Sequence, residues 1–282
     1  MKRCDTRRII FYIIIHALVK IKKIKLKYKG ELLRLEYLFR SGHSMPILFI
    51  PGLACGKEDF LDATKLKSLK PHMLIALDLP GTGNSTYTQR RQFGLNDLVE
   101  IINSLVDALD IKKFFLVGHS MGGVVGLFYA TKFPEKVSGF INIEGSLEPQ
   151  NGWWSKEIKI MGFDEFKKNA YPKLIRDLKR NDVSSLRRYG RNLNKTKIKA
   201  YFDYSISHAF YCYKKPLLKK FLNLKMPKVF VYGSSNKNWL PIIKKLKKAD
   251  CLVLKVPKSH HFSFYDNRPY FYNFLNHFIK NQ

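Results

Sequence analysis

The chain is poor in cysteine and in acids, and it has no long apolar run and no phosphate-binding loop. Its four cysteines, Cys4, Cys55, Cys212 and Cys251, show neither C-x-x-C pairs nor metal-ligand spacing. They offer no disulfide framework and no zinc site, and read as reduced, buried thiols. Asp and Glu number 22 against 51 Lys and Arg, a formal net charge of +29. The apolar stretch over residues 9–19 is too short for a membrane span, which takes about 20 residues. With its basic flank it imitates a signal peptide, but Lys20-Ile21-Lys22-Lys23 follows where small residues should mark a cleavage site. It reads as an uncleaved segment that packs on the domain or lies at a membrane interface. Gly81-Thr82-Gly83 fits neither nucleotide-binding glycine pattern. Asn84-Ser85-Thr86 and Asn194-Lys195-Thr196 match glycosylation acceptors by chance in a chain expected to stay inside the cell.

What is present suits a folded enzyme. The 282 residues are 45% hydrophobic and 14% aromatic, enough for one α/β domain with an insertion. The positive charge is uneven. Residues 1–30 hold ten Lys/Arg and one acid, and residues 151–228 hold twenty and six. Residues 31–150 are close to neutral, with twelve basic and thirteen acidic residues. This layout suggests a face turned toward something anionic, such as a membrane surface or an acidic substrate. A lysine-rich solvated surface is the plainer reading. No nucleic-acid-binding module accompanies the charge, so nucleic acid is not expected as a partner.

The hydrophobic pattern alternates between strands and helices. Lys25–Lys29 and Leu32–Phe39 alternate apolar and polar around Gly30-Glu31 and predict two antiparallel strands. Short apolar runs at Pro46–Ile50, Met73–Leu79, Lys113–Val117, Val137–Ile143, Lys228–Tyr232 and Cys251–Val256 predict buried strands. Leu95–Leu109, Gly122–Phe133 and Phe271–Ile279 predict helices, the second stopped by Pro134. This rhythm means α/β architecture, a mostly parallel doubly wound sheet covered on both faces. A basic, aromatic, helix-like block over residues 146–226 interrupts it. The expected organisation is an N-terminal extension (1–24), a core (25–145 and 227–282) and a helical cap (146–226).

One motif carries chemistry. The apolar strand at Phe115-Leu116-Val117 runs into Gly118-His119-Ser120-Met121-Gly122 and then a helix-forming run. A sharp strand-to-helix turn would lift the Ser120 hydroxyl clear of the sheet, with glycines removing side chains that would clash. It would also leave the Met121 N–H free at a helix start. Ser120 is therefore a candidate nucleophile.

With this motif stand Ile50-Pro51-Gly52-Leu53, Asp78-Leu79-Pro80-Gly81-Thr82-Gly83, Phe133-Pro134-Glu135-Lys136-Val137 and His261-Phe262. Together they resemble the α/β-hydrolase superfamily over residues 25–282, within it the capped group of esterases, epoxide hydrolases, C–C hydrolases and dehalogenases. The resemblance implies that His261, in Ser259-His260-His261-Phe262, is the base, and that the backbone N–H groups of Leu53 and Met121 form the oxyanion hole. Asp78 would tie a loop together. The acid departs from the common pattern: Asn236 stands in Gly233-Ser234-Ser235-Asn236, where most members carry Asp. Some capped relatives take the acid from the end of the preceding core strand. Glu144 lies there, in Asn142-Ile143-Glu144-Gly145, and a carboxylate at that sheet edge is poorly explained by packing alone. The alternative is that Glu144 caps the next segment and Asn236 alone orients the histidine.

The expected activity is a serine esterase working through an acyl-enzyme with a Ser120–His261–Glu144 triad, on a small-molecule ester, lipid or anionic, and without metal or organic cofactor. A C–C hydrolase, an acyltransferase or a binding protein on the same fold are the rivals. The expected place is the cytoplasm, with the basic N-terminus and cap able to meet the inner membrane face.

Overall fold

A computed structural model describes residues 19–282. The expectation for residues 9–18 lies outside the described residues. The chain builds one eight-stranded sheet: β1 (Val19–Tyr28), β2 (Glu31–Arg40), β3 (Ser44–Ile50), β4 (His72–Leu77), β5 (Phe114–His119), β6 (Val137–Ile143), β7 (Lys228–Gly233) and β8 (Leu252–Val256). The strand order is β1-β2-β4-β3-β5-β6-β7-β8. β1 pairs antiparallel with β2, and β2 antiparallel with β4, while every later pairing is parallel. β1 begins at Val19, six residues before the alternation suggested, and pairs with β2 in unbroken register from Val19–Arg40 to Tyr28–Glu31. Residues 19–24 are thus strand, not extension.

Helices cover both faces. α1 (Leu95–Ala108) buries Leu98, Ile101, Ile102, Leu105 and Val106, the stripe its periodicity predicts. α2 (Met121–Lys132) is buried almost all round, because it passes between β5, β6 and α1. The inserted block folds as α3 (Trp153–Met161), α4 (Tyr171–Lys179), α5 (Ser184–Leu193), α6 (Ile198–Lys214) and α7 (Leu217–Asn223). α8 (Leu240–Lys248), which the sequence reading passed over, joins β7 to β8, and α9 (Arg268–Lys280) closes the chain.

Two apolar layers sandwich the sheet. One packs β-strand residues such as Leu48, Leu116, Phe140 and Phe230 against α1, α2 and α8. The other packs Phe49, Val117, Ile141 and Val231 against Phe271, Leu275 and Phe278 of α9. Alternate residues of each central strand face opposite layers, so β5 is buried throughout and reads as a continuous apolar run. Each fully buried Leu or Phe contributes roughly 1.5–3 kcal/mol. A third, smaller cluster (Ile158, Phe166, Tyr171, Leu193, Tyr201) holds the insertion together and meets the core at Ala54. Cys55 and Cys212 are free buried thiols as expected, but Cys251 is only partly covered.

Candidate active site

The carboxyl ends of β3, β5, β6, β7 and β8 converge on one cavity of about 1060 Å³, roofed by side chains of the insertion. In a parallel sheet this is the end where loops and helix starts leave room for a ligand.

Ser120 stands between β5 and α2 at φ 53°, ψ −123°, a strained conformation for a residue with a Cβ. The turn is held by the Ser120 N–H donating to Ile143 O at 2.8 Å and the Gly123 N–H donating to Ser120 O at 2.8 Å. Close packing explains the flanking glycines. A Cβ on Gly122 would collide with the carbonyl oxygens of Ile50 and Pro51, and one on Gly118 with the Gly122 carbonyl. Met121 is the first residue of α2, so its N–H has no partner within the helix. Leu53 follows the end of β3, and both residues line the cavity with Ser120.

Glu144 directly follows β6, also with a positive φ of 48°, and is 1% exposed. Its Oε2 lies 2.6 Å from Nδ1 of His261. Its Oε1 accepts from the Gly233 N–H at 2.8 Å, and Oε2 also accepts from Asn236 Nδ2 at 2.8 Å. Both oxygens of this buried carboxyl group are therefore hydrogen-bonded. Asn142, two residues earlier, accepts the Gly145 N–H on Oδ1 at 2.7 Å and so fixes the turn that aims Glu144. His261 comes from the loop after β8 and lines the same cavity as Ser120. With Nδ1 engaged by Glu144, Nε2 is the nitrogen left to take a proton.

The geometry therefore brings Ser120, Glu144, His261, Leu53 and Met121 to one cavity. Asn236 is there too, but it hydrogen-bonds Glu144. The residue at the position where the resemblance expects an acid thus holds the Glu144 carboxyl group. Sequence reasoning also missed His119. It is buried beneath His261, ring centroids 4.7 Å apart, and its Nε2 lies 3.0 Å from the His261 backbone carbonyl. Burial, reinforced by the neighbouring His261, pushes its pKa well below the ordinary histidine value. It stays neutral and donates from Nε2, pinning the His261 loop to the Ser120 turn. Its place inside the Ser120 motif was the signal available.

Asp78 has the structural part expected of it. It accepts from the Lys57 N–H at 2.9 Å, the Asn84 N–H at 3.0 Å and Lys57 Nζ at 2.7 Å. Lys57 Nζ also pairs with Glu36 at 2.9 Å. Among the described residues no cluster of His, Cys, Asp and Glu is arranged to hold a metal ion.

The family model described as the alpha/beta hydrolase fold matches residues 45–268. The chain belongs to the α/β-hydrolase fold family. The human monoacylglycerol lipase ABHD6 is 34% identical over 101 residues, 35% of this chain and 30% of that protein. The dihydrolipoyllysine-residue acetyltransferase component of the acetoin cleaving system of Pseudomonas putida is 48% identical over 65 residues, 23% of this chain and 17% of that one. The matched stretches thus span a third or less of these relatives. Among solved structures, a carboxylesterase of Nitrososphaera gargenis has TM-score 0.76 at 16% identity, covering 92% of this chain and all of that one. An esterase from Thermogutta terrifontis has TM-score 0.77 at 14% identity, covering 92% and 98%. At such identity these two speak for the fold.

Proposed function

We propose that this α/β-hydrolase is a serine esterase that works through an acyl-enzyme. The observation that carries the reading is the buried Glu144 on His261 Nδ1 at 2.6 Å, in the cavity that holds Ser120 on its strained turn. His261 Nε2 takes the Ser120 proton as Oγ bonds to the ester carbonyl carbon. The oxyanion so formed is received by the N–H groups of Leu53 and Met121. Collapse expels the alcohol, which leaves with the proton from His261. Water, deprotonated by the same nitrogen, then attacks the acyl carbon, and Ser120 and the acid are released. Glu144 holds the imidazole tautomer and stabilises the imidazolium.

We read the helical block 146–226 as a cap over an aromatic pocket that suits an ester with an apolar part. ABHD6 is named a monoacylglycerol lipase, and the two solved structures described above are of esterases. These names support the ester class and leave the individual substrate open. A lipid surface is the partner proposed for this site. Trp153 and Tyr213 contribute to the cavity wall, and they are 58% and 37% exposed. Lys156 Nζ sits 5.1 Å over the Tyr213 ring. Aromatic rings interleaved with lysine are the side chains that settle at an anionic membrane face. No helix among the described residues is long and apolar enough to cross a membrane. The association we propose is peripheral, at the inner membrane face of the cytoplasm.

Release of p-nitrophenol from acyl esters by the wild type, and its loss in Ser120→Ala, is the experiment that tests this reading. A folded wild type inert toward esters of every chain length would overturn it. Added alcohol that diverts the acyl group from water would move the assignment to acyl transfer on the same triad.

A further inference from the structure

A second serine–histidine pair stands in the wall of the same cavity, and the hydrolytic steps do not use it. Ser155 lies in the first turn of α3 and His208 in the second half of α6. Ser155 Oγ is 2.9 Å from His208 Nδ1, and Cys212 Sγ is 3.5 Å from His208 Nε2. Ser155 and His208 are 4% and 7% exposed, and both line the cavity beside Trp153, Trp154, Leu174 and Leu178.

This pair is not a second nucleophile and base. Burial pushes the His208 pKa down to about 4, so the imidazole is neutral and weakly basic. Its far nitrogen faces a thiol where Glu144 serves His261, and burial holds that thiol protonated, its pKa pushed up to about 12. A neutral imidazole has one donor and one acceptor, so two tautomers fit the site. In one, the Ser155 O–H donates to Nδ1, Nε2–H donates to the sulfur, and the serine lone pairs remain open. In the other, Nδ1–H donates to Ser155 Oγ, the Cys212 S–H donates to Nε2, and the serine hydrogen remains open. Either way Ser155 keeps hydrogen-bonding capacity in an apolar wall, where an unfilled polar group is costly.

We propose that Ser155, oriented by His208, is a neutral polar subsite that binds a free hydroxyl group carried by the ester substrate. A hydroxyl can donate or accept, so it satisfies Ser155 in both tautomers. A carboxylate or ammonium there would be a buried charge with no countercharge in the pair. The inference rests on the ester-hydrolase reading of Ser120 and narrows its substrate class. The hydroxyl can lie on the leaving alcohol, as in a monoester of a diol, or on the acyl chain, as in a hydroxyacyl ester.

The test compares kcat/KM of wild type and Ser155→Ala toward three esters of equal chain length: a plain alkyl ester, a glycol monoester and a hydroxyacyl methyl ester. Wild type should prefer one hydroxylated ester over the plain one by about three- to tenfold, the factor of one hydrogen bond, and Ser155→Ala should lose that preference. Which ester is preferred tells where the hydroxyl lies. The same ratios in both proteins would overturn the subsite, while turnover of the plain ester would still uphold the role of Ser120. A binding measurement decides the matter without catalysis. Trp153 and Trp154 fluorescence follows binding of a glycol monoalkyl ether and of the alkyl methyl ether of equal length to wild type. Tighter binding of the hydroxylated ether supports the subsite, and equal binding overturns it.

Discussion

The proposed mechanism turns on Glu144 at the scale of single residues. Asn236 puts no charge at the position where the resemblance expects an acid, yet it donates to the carboxylate proposed for that role. Glu144→Gln should therefore lower kcat by on the order of 10²–10⁴-fold, because an amide cannot hold the imidazolium. Asn236→Ala should cost much less, about tenfold, since Gly233 N–H still holds Oε1. Asn236→Asp should not improve the enzyme: two carboxylates within 2.8 Å cannot both stay ionised, and a proton shared between them weakens the hold on His261. Steady-state kinetics on the three purified variants checks the order. His208 sets a second expectation. Its pKa is about 4 when folded and about 6.5 when unfolded, so between those values the unfolded chain binds the extra proton. Stability is full above pH 6.5 and falls as pH drops toward 4, by roughly 3 kcal/mol from this one group. His208→Gln should flatten the Tm-against-pH curve in that window, and the part that remains is expected from the buried His119. A curve as steep as wild type would contradict this account of the cavity wall.

The unit at the scale of elements is the junction of β3, β5, α2 and β6. Ile50 pairs with Gly118, Gly118 with Asn142, and Ser120 hangs its N–H on Ile143 O, so Ser120, the Leu53 loop and Glu144 are fixed to one sheet edge. Gly122→Ala should destabilise the protein by about 1–3 kcal/mol, and it should slow turnover by displacing the Leu53 loop from Ser120. A denaturant melt beside an activity assay reads both effects, and an unchanged melt would contradict the packing at Ile50 and Pro51. Much of this junction was legible in the chain. The strand before Ser120, the glycines around it and the apolar periodicity of α1 are local signals. The placement of Glu144 beside His261 was legible by contrast, because Asn236 offers no carboxylate. What escaped the sequence was long-range. Nothing local says that Asn236 reaches Glu144 across 92 positions, or that His119 reaches the His261 carbonyl across 142. β1 was underread because its alternating lysines and apolar residues face a single partner, so its N-terminal half looks like a solvated tail until β2 is placed beside it. α8 was missed because its apolar stripe is narrow: Ile242, Ile243 and Leu246 among four lysines.

The whole molecule is a sheet with a cavity at one edge, a helical roof and a strong positive charge. The roof presents Trp153, Ile160, Phe210 and Tyr213 to solvent, with lysines between them, and the chain's +29 charge would draw that face to an anionic surface. Co-sedimentation should show stronger binding to phosphatidylserine-containing vesicles than to phosphatidylcholine vesicles, weakened by salt and by Trp153→Ala with Ile160→Ser. Equal binding to both vesicles would contradict the proposed surface. The central claim, that Glu144 and His261 activate Ser120, is tested most directly by the rate at which a fluorescent fluorophosphonate labels the folded protein. The account predicts fast labelling of wild type, none in Ser120→Ala, and labelling slowed by orders of magnitude in Glu144→Gln. Folded wild type that stays unlabelled, or Glu144→Gln labelled as fast as wild type, would contradict it.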